Sequence, residues 1–156
     1  MLAWLTGKAT FTLKTTHTGF FRWNGLIEKL GYKYEDENEV LDRALSFYMM
    51  VMVWEDLPLF YRMSGDDLVV CDLAKDWVAG PKEAWAYQRR YTVHVSQWMV
   101  MKYLLKKSGE ASMSHLIDRA LELYERLVEG WLPELYTLDD YGEYVPFRFA
   151  VPKTVP

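Results

Sequence analysis

The sequence predicts an α+β fold in a single domain spanning residues 1–156, with a small, partly antiparallel sheet packed against several helices. Three observations lead there. Hydrophobic residues make up 51 % of the 156 and aromatics 16 %, enough for a substantial core in one domain. Short runs with strand periodicity alternate with longer runs of helical periodicity. The chain also repeats itself: Val40-Leu41-Asp42-Arg43-Ala44-Leu45-Ser46-Phe47-Tyr48 returns 76 residues later as Leu116-Ile117-Asp118-Arg119-Ala120-Leu121-Glu122-Leu123-Tyr124. A short helical run closed by glycine precedes each copy, and an alternating run precedes that, so strand, helix, Gly turn and longer helix occur twice.

The elements follow in order. Ala9 to Thr16 alternates Phe11 and Leu13 with Thr10, Thr12 and Lys14, the period of a half-buried strand. Phe20 to Leu30 reads as a helix closed by Gly31. Asp36 or Asn38 can cap the next helix, which runs to about Trp54 and whose second half, Phe47 to Val53, is apolar on every side and so is expected to be buried all round. Leu59 to Met63 and Leu68 to Cys71 flank the turn-rich Ser64-Gly65-Asp66-Asp67, which predicts a hairpin. Gly80-Pro81 is expected to open a helix over Lys82 to Arg90, followed by a strand over Tyr91 to Val95. Ser96 can cap a helix to Lys107, and Ser112 the last long helix, closed by Gly130. Tyr144 to Val151 suits an edge strand, since Pro146 cannot donate to a ladder.

Composition narrows the function classes. The net charge of −4 argues against a nonspecific polyanion binder but leaves room for a local basic face. Lys82 to Lys107 holds six bases and one acid, a net of +5, whereas Glu35 to Asp42 holds five acids and no base. Cys71 is the only cysteine, so no intrachain disulfide forms, which fits a reducing compartment. Met1 to Leu5 is too short for a signal peptide core, and the longest apolar run is far short of the roughly 20 residues of a membrane span. A soluble, cytoplasmic protein with no membrane partner is expected.

The candidate chemistry concentrates in a few places. On a helix, Trp85 and Arg89 would share one face, and Lys82, Arg89, Arg90, Lys102 and Lys106 would neutralise phosphates of a bound duplex. Asp72, with Asp66 or Asp67, offers oxygen ligands for a divalent metal such as Mg²⁺, which could stabilise charge in phosphodiester cleavage. Turn formation by Asp66 and Asp67 and helix capping by Asp72 are the structural alternative. His94 could act as a general base across from the basic helix. The histidines lack zinc-like spacing, and Cys71 reads as a structural residue in an apolar strand. Asp42-Arg43 and Asp118-Arg119 are expected on the outer sides of their helices or capping neighbours. The tail tyrosines Tyr136, Tyr141 and Tyr144 could instead serve a protein partner.

Two resemblances bear on function. The segments 9–54 and 91–129 resemble two ribbon-helix-helix modules in tandem, leaving 55–90 and 131–156 outside the pattern. That resemblance implies a DNA-binding regulator whose two halves form a pseudo-dimer. Bases would be read by Thr10, Thr12 and Lys14 in one half and by Tyr91, Thr92, His94 and Ser96 in the other. The length, the Trp/Tyr/Met richness and the run Lys82-Glu83-Ala84-Trp85-Ala86-Tyr87-Gln88-Arg89-Arg90 resemble a small nuclease of filamentous archaeal viruses. That family is α+β, remotely nucleotidyltransferase-like, and cuts linear double-stranded DNA. The resemblance implies a deoxyribonuclease acting in the host cytoplasm, with an essential glutamate at position 86. Ala86 stands there, which would make this chain an inactivated variant, with Glu83 as a substitute acid one turn earlier. The nuclease is the first expectation and the regulator the alternative. They part on geometry: a nuclease needs a cleft where carboxylates and bases converge, and a regulator needs the strands Ala9 to Thr16 and Tyr91 to Ser96 paired antiparallel on one exposed face.

Overall fold

Strand β1 (Lys8–Thr15) pairs antiparallel with β4 (Tyr87–His94), residue for residue from Lys8 opposite His94 to Thr15 opposite Tyr87. The computed structural model describes residues 7–53, 58–62 and 67–156. These two strands form a sheet of their own. Alternation decides its faces: Ala9, Leu13, Tyr91 and Val93 are buried inward, while Lys8, Thr10, Thr12, Lys14, Gln88, Arg90, Thr92 and His94 are exposed.

Each strand leads into two helices. After β1 come α1 (His17–Lys29), a 3₁₀ turn (Tyr34–Asp36) and α2 (Glu37–Val53); after β4 come α4 (Val95–Ser108) and α5 (Met113–Glu129). Both long helices have 17 residues. Thr16 caps α1 by accepting from the Gly19 amide at 2.9 Å, and Ser112 caps α5 by accepting from the His115 amide at 3.3 Å. Gly109 and Gly130 end α4 and α5 at φ 73° and 74°, a conformation that costs a residue with a Cβ. The 3₁₀ turn runs straight into Glu37, so Asp36 lies in that turn and Asn38 inside the helix.

The repeated helices are the centre of the core. Val40, Leu41, Ala44, Leu45 and Tyr48 of α2 meet Leu116, Ile117, Ala120, Leu121 and Tyr124 of α5, all almost fully buried. The apolar end of α2 is not buried all round: Met49 and Met50 are 38 % and 37 % exposed, because core covers only one side of that turn.

The inserted and C-terminal segments build a second sheet in the order β3-β2-β5-β6, from β2 (Phe60–Arg62), β3 (Leu68–Val70), β5 (Leu135–Leu138) and β6 (Tyr144–Phe147). The expected hairpin is β2–β3, and β6 is the expected edge strand, with Pro146 opposite Tyr136. The short helix α3 (Leu73–Asp76) follows β3.

Two further expectations differ from the structure. Lys82 to Arg90 is not a helix: residues 80–86 are irregular and β4 begins at Tyr87, so Trp85 and Arg89 share no helical face. An eight-residue ladder with β1, and the burial of Tyr91 and Val93 that it permits, outweighs the modest helix preference of Ala84 to Gln88. The two Asp-Arg pairs are also not equivalent. Asp42 and Arg43 are exposed, but Asp118 is 7 % exposed and Arg119 reaches inward to the Ala74 and Val78 carbonyls at 3.0 and 2.9 Å. Arg119 also pairs with Glu110, and so ties α3 and the chain after it to the second half. Among the described residues no helix is long and apolar enough to cross a membrane.

Leu116, fully buried between the long helices, is the sensitive point of this core. Leu116→Ala is expected to lower unfolding stability by about 2–5 kcal/mol in denaturant titration. Met49→Ser, on the exposed side of α2, should change it by about 0.5 kcal/mol or less.

Candidate nucleic-acid interface

The repeat places the halves in register. A shift of 78 residues carries the start of α1, His17, onto the start of α4, Val95, and carries Thr12 onto Arg90. Thr12 and Arg90 are also paired across the ribbon. An internal two-fold therefore passes through that pair, with Thr10 opposite Thr92 on one side and Lys14 opposite Gln88 on the other.

The supports beneath the ribbon obey the same relation. Asn38 at the start of α2 accepts from the Tyr91 hydroxyl at 3.0 Å; Ser114, its counterpart in α5, accepts from the Lys14 amide at 2.9 Å. The ladder extends past both strand ends, with the Ala86 amide donating to the Thr15 carbonyl at 2.8 Å and the Val95 amide to that of Gly7 at 2.9 Å. A two-stranded ribbon alone is marginal in water; packing of its inner face on the helices holds this one.

The outward face has a distinct chemistry. Lys8, Lys14 and Arg90 supply positive charge, Thr10, Thr12, Gln88 and Thr92 supply short neutral hydrogen-bonding groups, and His94 closes one corner. No carboxylate stands among them. Thr10 and Thr92 bond to each other through their hydroxyls at 3.0 Å. Neither Lys14 nor Arg90 is held in an ion pair among the described residues.

The sequence-derived site residues separate across the molecule. Arg90 is outward, but Arg89 points to the inner side, where Glu37 grips it through two bonds of 3.0 and 2.8 Å and it lies over Trp23 and Tyr91. Trp85 packs edge-on against His115, with ring centroids 5.0 Å apart. Lys102 and Lys106 are exposed on α4. Tyr91, expected to read bases, is 5 % exposed and faces inward, and burial pushes its phenol pKa up. His94 is outward, yet no basic helix faces it; its Nδ1 accepts from the Ser96 amide at 3.1 Å and so caps α4 in place of Ser96. Ser96 is inside the helix.

Of the expected metal ligands, Asp66 lies outside the described residues and Asp67 is exposed before β3. Asp72 caps α3, accepting from the Lys75 amide at 3.3 Å, which is the structural role the sequence allowed. Among the described residues no group of three or more His, Cys, Asp or Glu side chains is arranged to hold a metal ion. Cys71 is half-buried just beyond β3, its thiol pushed up to about 11 by burial. Ala86 is exposed at the end of the ribbon, three residues from Glu83, which accepts from the Thr18 hydroxyl.

Lys82 and Glu83 also border a cavity of about 560 Å³ between α1, α5 and the chain that follows α3. Its deep wall carries Asp118 and Glu122, both more than nine-tenths buried. Arg22 approaches Asp118 at 3.8 Å and Arg126 approaches Glu122 at 3.6 Å, both longer than hydrogen bonds. Burial raises the Asp118 pKa, against the pull of Arg22.

What sequence reasoning missed is Gln88 and Arg90 as outward-facing partners of Lys14 and Thr12. The signal was present: Tyr87, Tyr91 and Val93 alternate with Gln88, Arg90, Thr92 and His94 once the strand is begun at 87.

A raised carboxyl pKa in the folded state means that folding takes up protons, so Asp118 detracts from stability increasingly as pH rises above the ordinary carboxylate value of roughly 4. Asp118→Asn is expected to be more stable than the parent at neutral pH, with a gain that shrinks as pH falls toward that value, read by denaturant melts across pH. Arg89→Ala should lower the melting temperature through loss of the Glu37 contact, while Arg90→Ala leaves it unchanged.

No family model, curated protein or solved structure matches the chain.

Proposed function

We propose that the protein binds double-stranded DNA by laying the β1–β4 ribbon in a major groove, as a single-chain counterpart of a ribbon-helix-helix dimer. The observation that carries this reading is the outward face of the ribbon: eight alternate residues, basic or neutral and hydrogen-bonding, on a protein of net charge −4. A two-stranded ribbon fits the major groove, about 12 Å wide, and eight residues span about 27 Å of it. Lys8 and Lys14 suit phosphate contacts, while Thr, Gln and Arg side chains suit base edges. Lys102 and Lys106 on α4 add positive charge beside the groove. The buried inner residues and both supporting helix ends are taken up by packing, and on the outer face His94 caps α4 and Thr10 bonds Thr92.

Phosphodiester hydrolysis is a second reading, favoured by one observation. Ala86 is exposed at the ribbon's end and close in sequence to Glu83, so a glutamate there would stand beside DNA held by the ribbon. Arg89 and Asp72, taken by Glu37 and by the α3 cap, would not serve this reading.

Two measurements test these readings. Anisotropy of a labelled linear duplex should show saturable binding that weakens as salt rises, and Lys14→Ala should lower the slope of log affinity against log salt by about 1 while leaving the melting temperature unchanged. Absence of binding at low salt would overturn the DNA reading. Ala86→Glu and the parent, each incubated with duplex and Mg²⁺ or chelator, separate the alternatives: metal-dependent degradation by the Glu form supports the nuclease, and intact retarded duplex from both supports binding alone.

A further inference from the structure

The two halves agree in backbone but not in the residues they present. Under the internal two-fold, Thr10 corresponds to Gln88, Thr12 to Arg90, Lys14 to Thr92 and Lys8 to Ala86. The helices and supports beneath correspond more closely: Leu26 and Leu104 are both buried leucines, and the supports Asn38 and Ser114 are both polar. The buried helix positions keep the equivalence; the outward residues of the ribbon do not. A dimer of identical chains cannot do this, because its two-fold is imposed on every side chain and the DNA site it reads mirrors that symmetry.

We infer that, resting on the DNA-binding reading above, the protein reads a non-palindromic duplex, with Arg90 at the centre of the site recognising guanine and Gln88 recognising adenine on the same side. Arg90 sits on the two-fold, opposite Thr12. It therefore faces the middle of the site, where the groove is closest to the ribbon. Its fork presents two parallel donors to the O6 and N7 acceptors of guanine, and the amide of Gln88, two residues earlier on the same face, donates and accepts as the adenine N7 and N6 require. Thr10 and Thr12, their counterparts, have only a hydroxyl and a methyl, which suit the thymine methyl or either purine.

The flanks carry the same asymmetry. The turn and first residues of α2, held beneath the Tyr91 end of the ribbon by Asn38, bring Glu35, Asp36, Glu37 and Glu39. The first turn of α5, held beneath the Lys14 end by Ser114, has no acid. With Glu37 paired to Arg89, the remaining Glu35, Asp36 and Glu39 on the first flank, in no ion pair among the described residues, outnumber Glu83 near the second, which favours one orientation of a bound duplex.

The experiment is enrichment of bound duplexes from a randomised pool, using the full chain, followed by affinities for single-base variants of the enriched sequence. The parent is expected to yield a non-palindromic consensus with a central guanine whose replacement costs about 5- to 150-fold in affinity, the range for a bidentate side chain–base pair. Arg90→Ala should abolish preference at that one position and leave the others. The double variant Gln88→Thr with Arg90→Thr copies Thr10 and Thr12 into the second strand, and should shift the consensus toward a palindrome with an unchanged melting temperature. A palindromic consensus from the parent, binding with no consensus, or asymmetry that survives the double variant at the base pairs assigned to Gln88 and Arg90 would each overturn the inference while leaving DNA binding intact. Failure of the parent to bind any duplex would overturn both.

Discussion

The antiparallel pairing of β1 with β4 is the constraint on which the rest of the structure depends. Each strand–helix–helix half has a strand with no partner inside its own half and an apolar helix face with nothing to cover it. Pairing the strands gives every outward residue a fixed position, and sets the halves about an axis through Thr12 and Arg90. The same arrangement brings α2 against α5, whose equal lengths of 17 residues let their apolar stripes meet along most of their course. The ribbon and the helix pair are mutually dependent: neither a two-stranded sheet nor a lone amphipathic helix is stable in water without the other.

Duplication also explains where the halves part. In the first half Arg43 lies on the surface over Tyr32; in the second, Arg119 turns inward and holds the carbonyls of the inserted chain. Its neighbour Asp118, set against Gly19 and Arg22 of α1, carries the cost of burial in its raised pKa. The segment between α2 and β4 thus packs against both halves, and on the second it meets the arginine whose counterpart the first leaves in solvent. The four-stranded sheet completed by the C-terminal strands extends this added layer at a distance from the ribbon in sequence, and leaves the ribbon's outer face uncovered.

The candidate interface was legible in part. Alternation from Ala9 to Thr16 placed Thr10, Thr12 and Lys14 outward from sequence alone, and placed His94 opposite Val93. It did not place Arg90 and Gln88, because the run after Gly80-Pro81 is rich in residues that helices tolerate, and its strand character comes from the ladder with β1. Arg89 and Arg90 show the consequence most sharply. They are adjacent and chemically identical, yet one is bound inward by Glu37 and the other faces outward, a division that only the phase of the strand decides.

By itself, the sequence determined the repeat, the α+β class, the two long helices with their buried stripes, the β2–β3 hairpin and the edge position of Pro146. These rest on local periodicity, capping and turn chemistry, which short stretches of chain express wherever they are placed. Only the tertiary structure decided that residues 87–90 are extended, that Tyr91 is buried while Thr92 is outward, and that Asp118 and Arg119 are internal. Each of these depends on what packs against the residue from a distant part of the chain, and a strand's face and register belong to its partner as much as to itself.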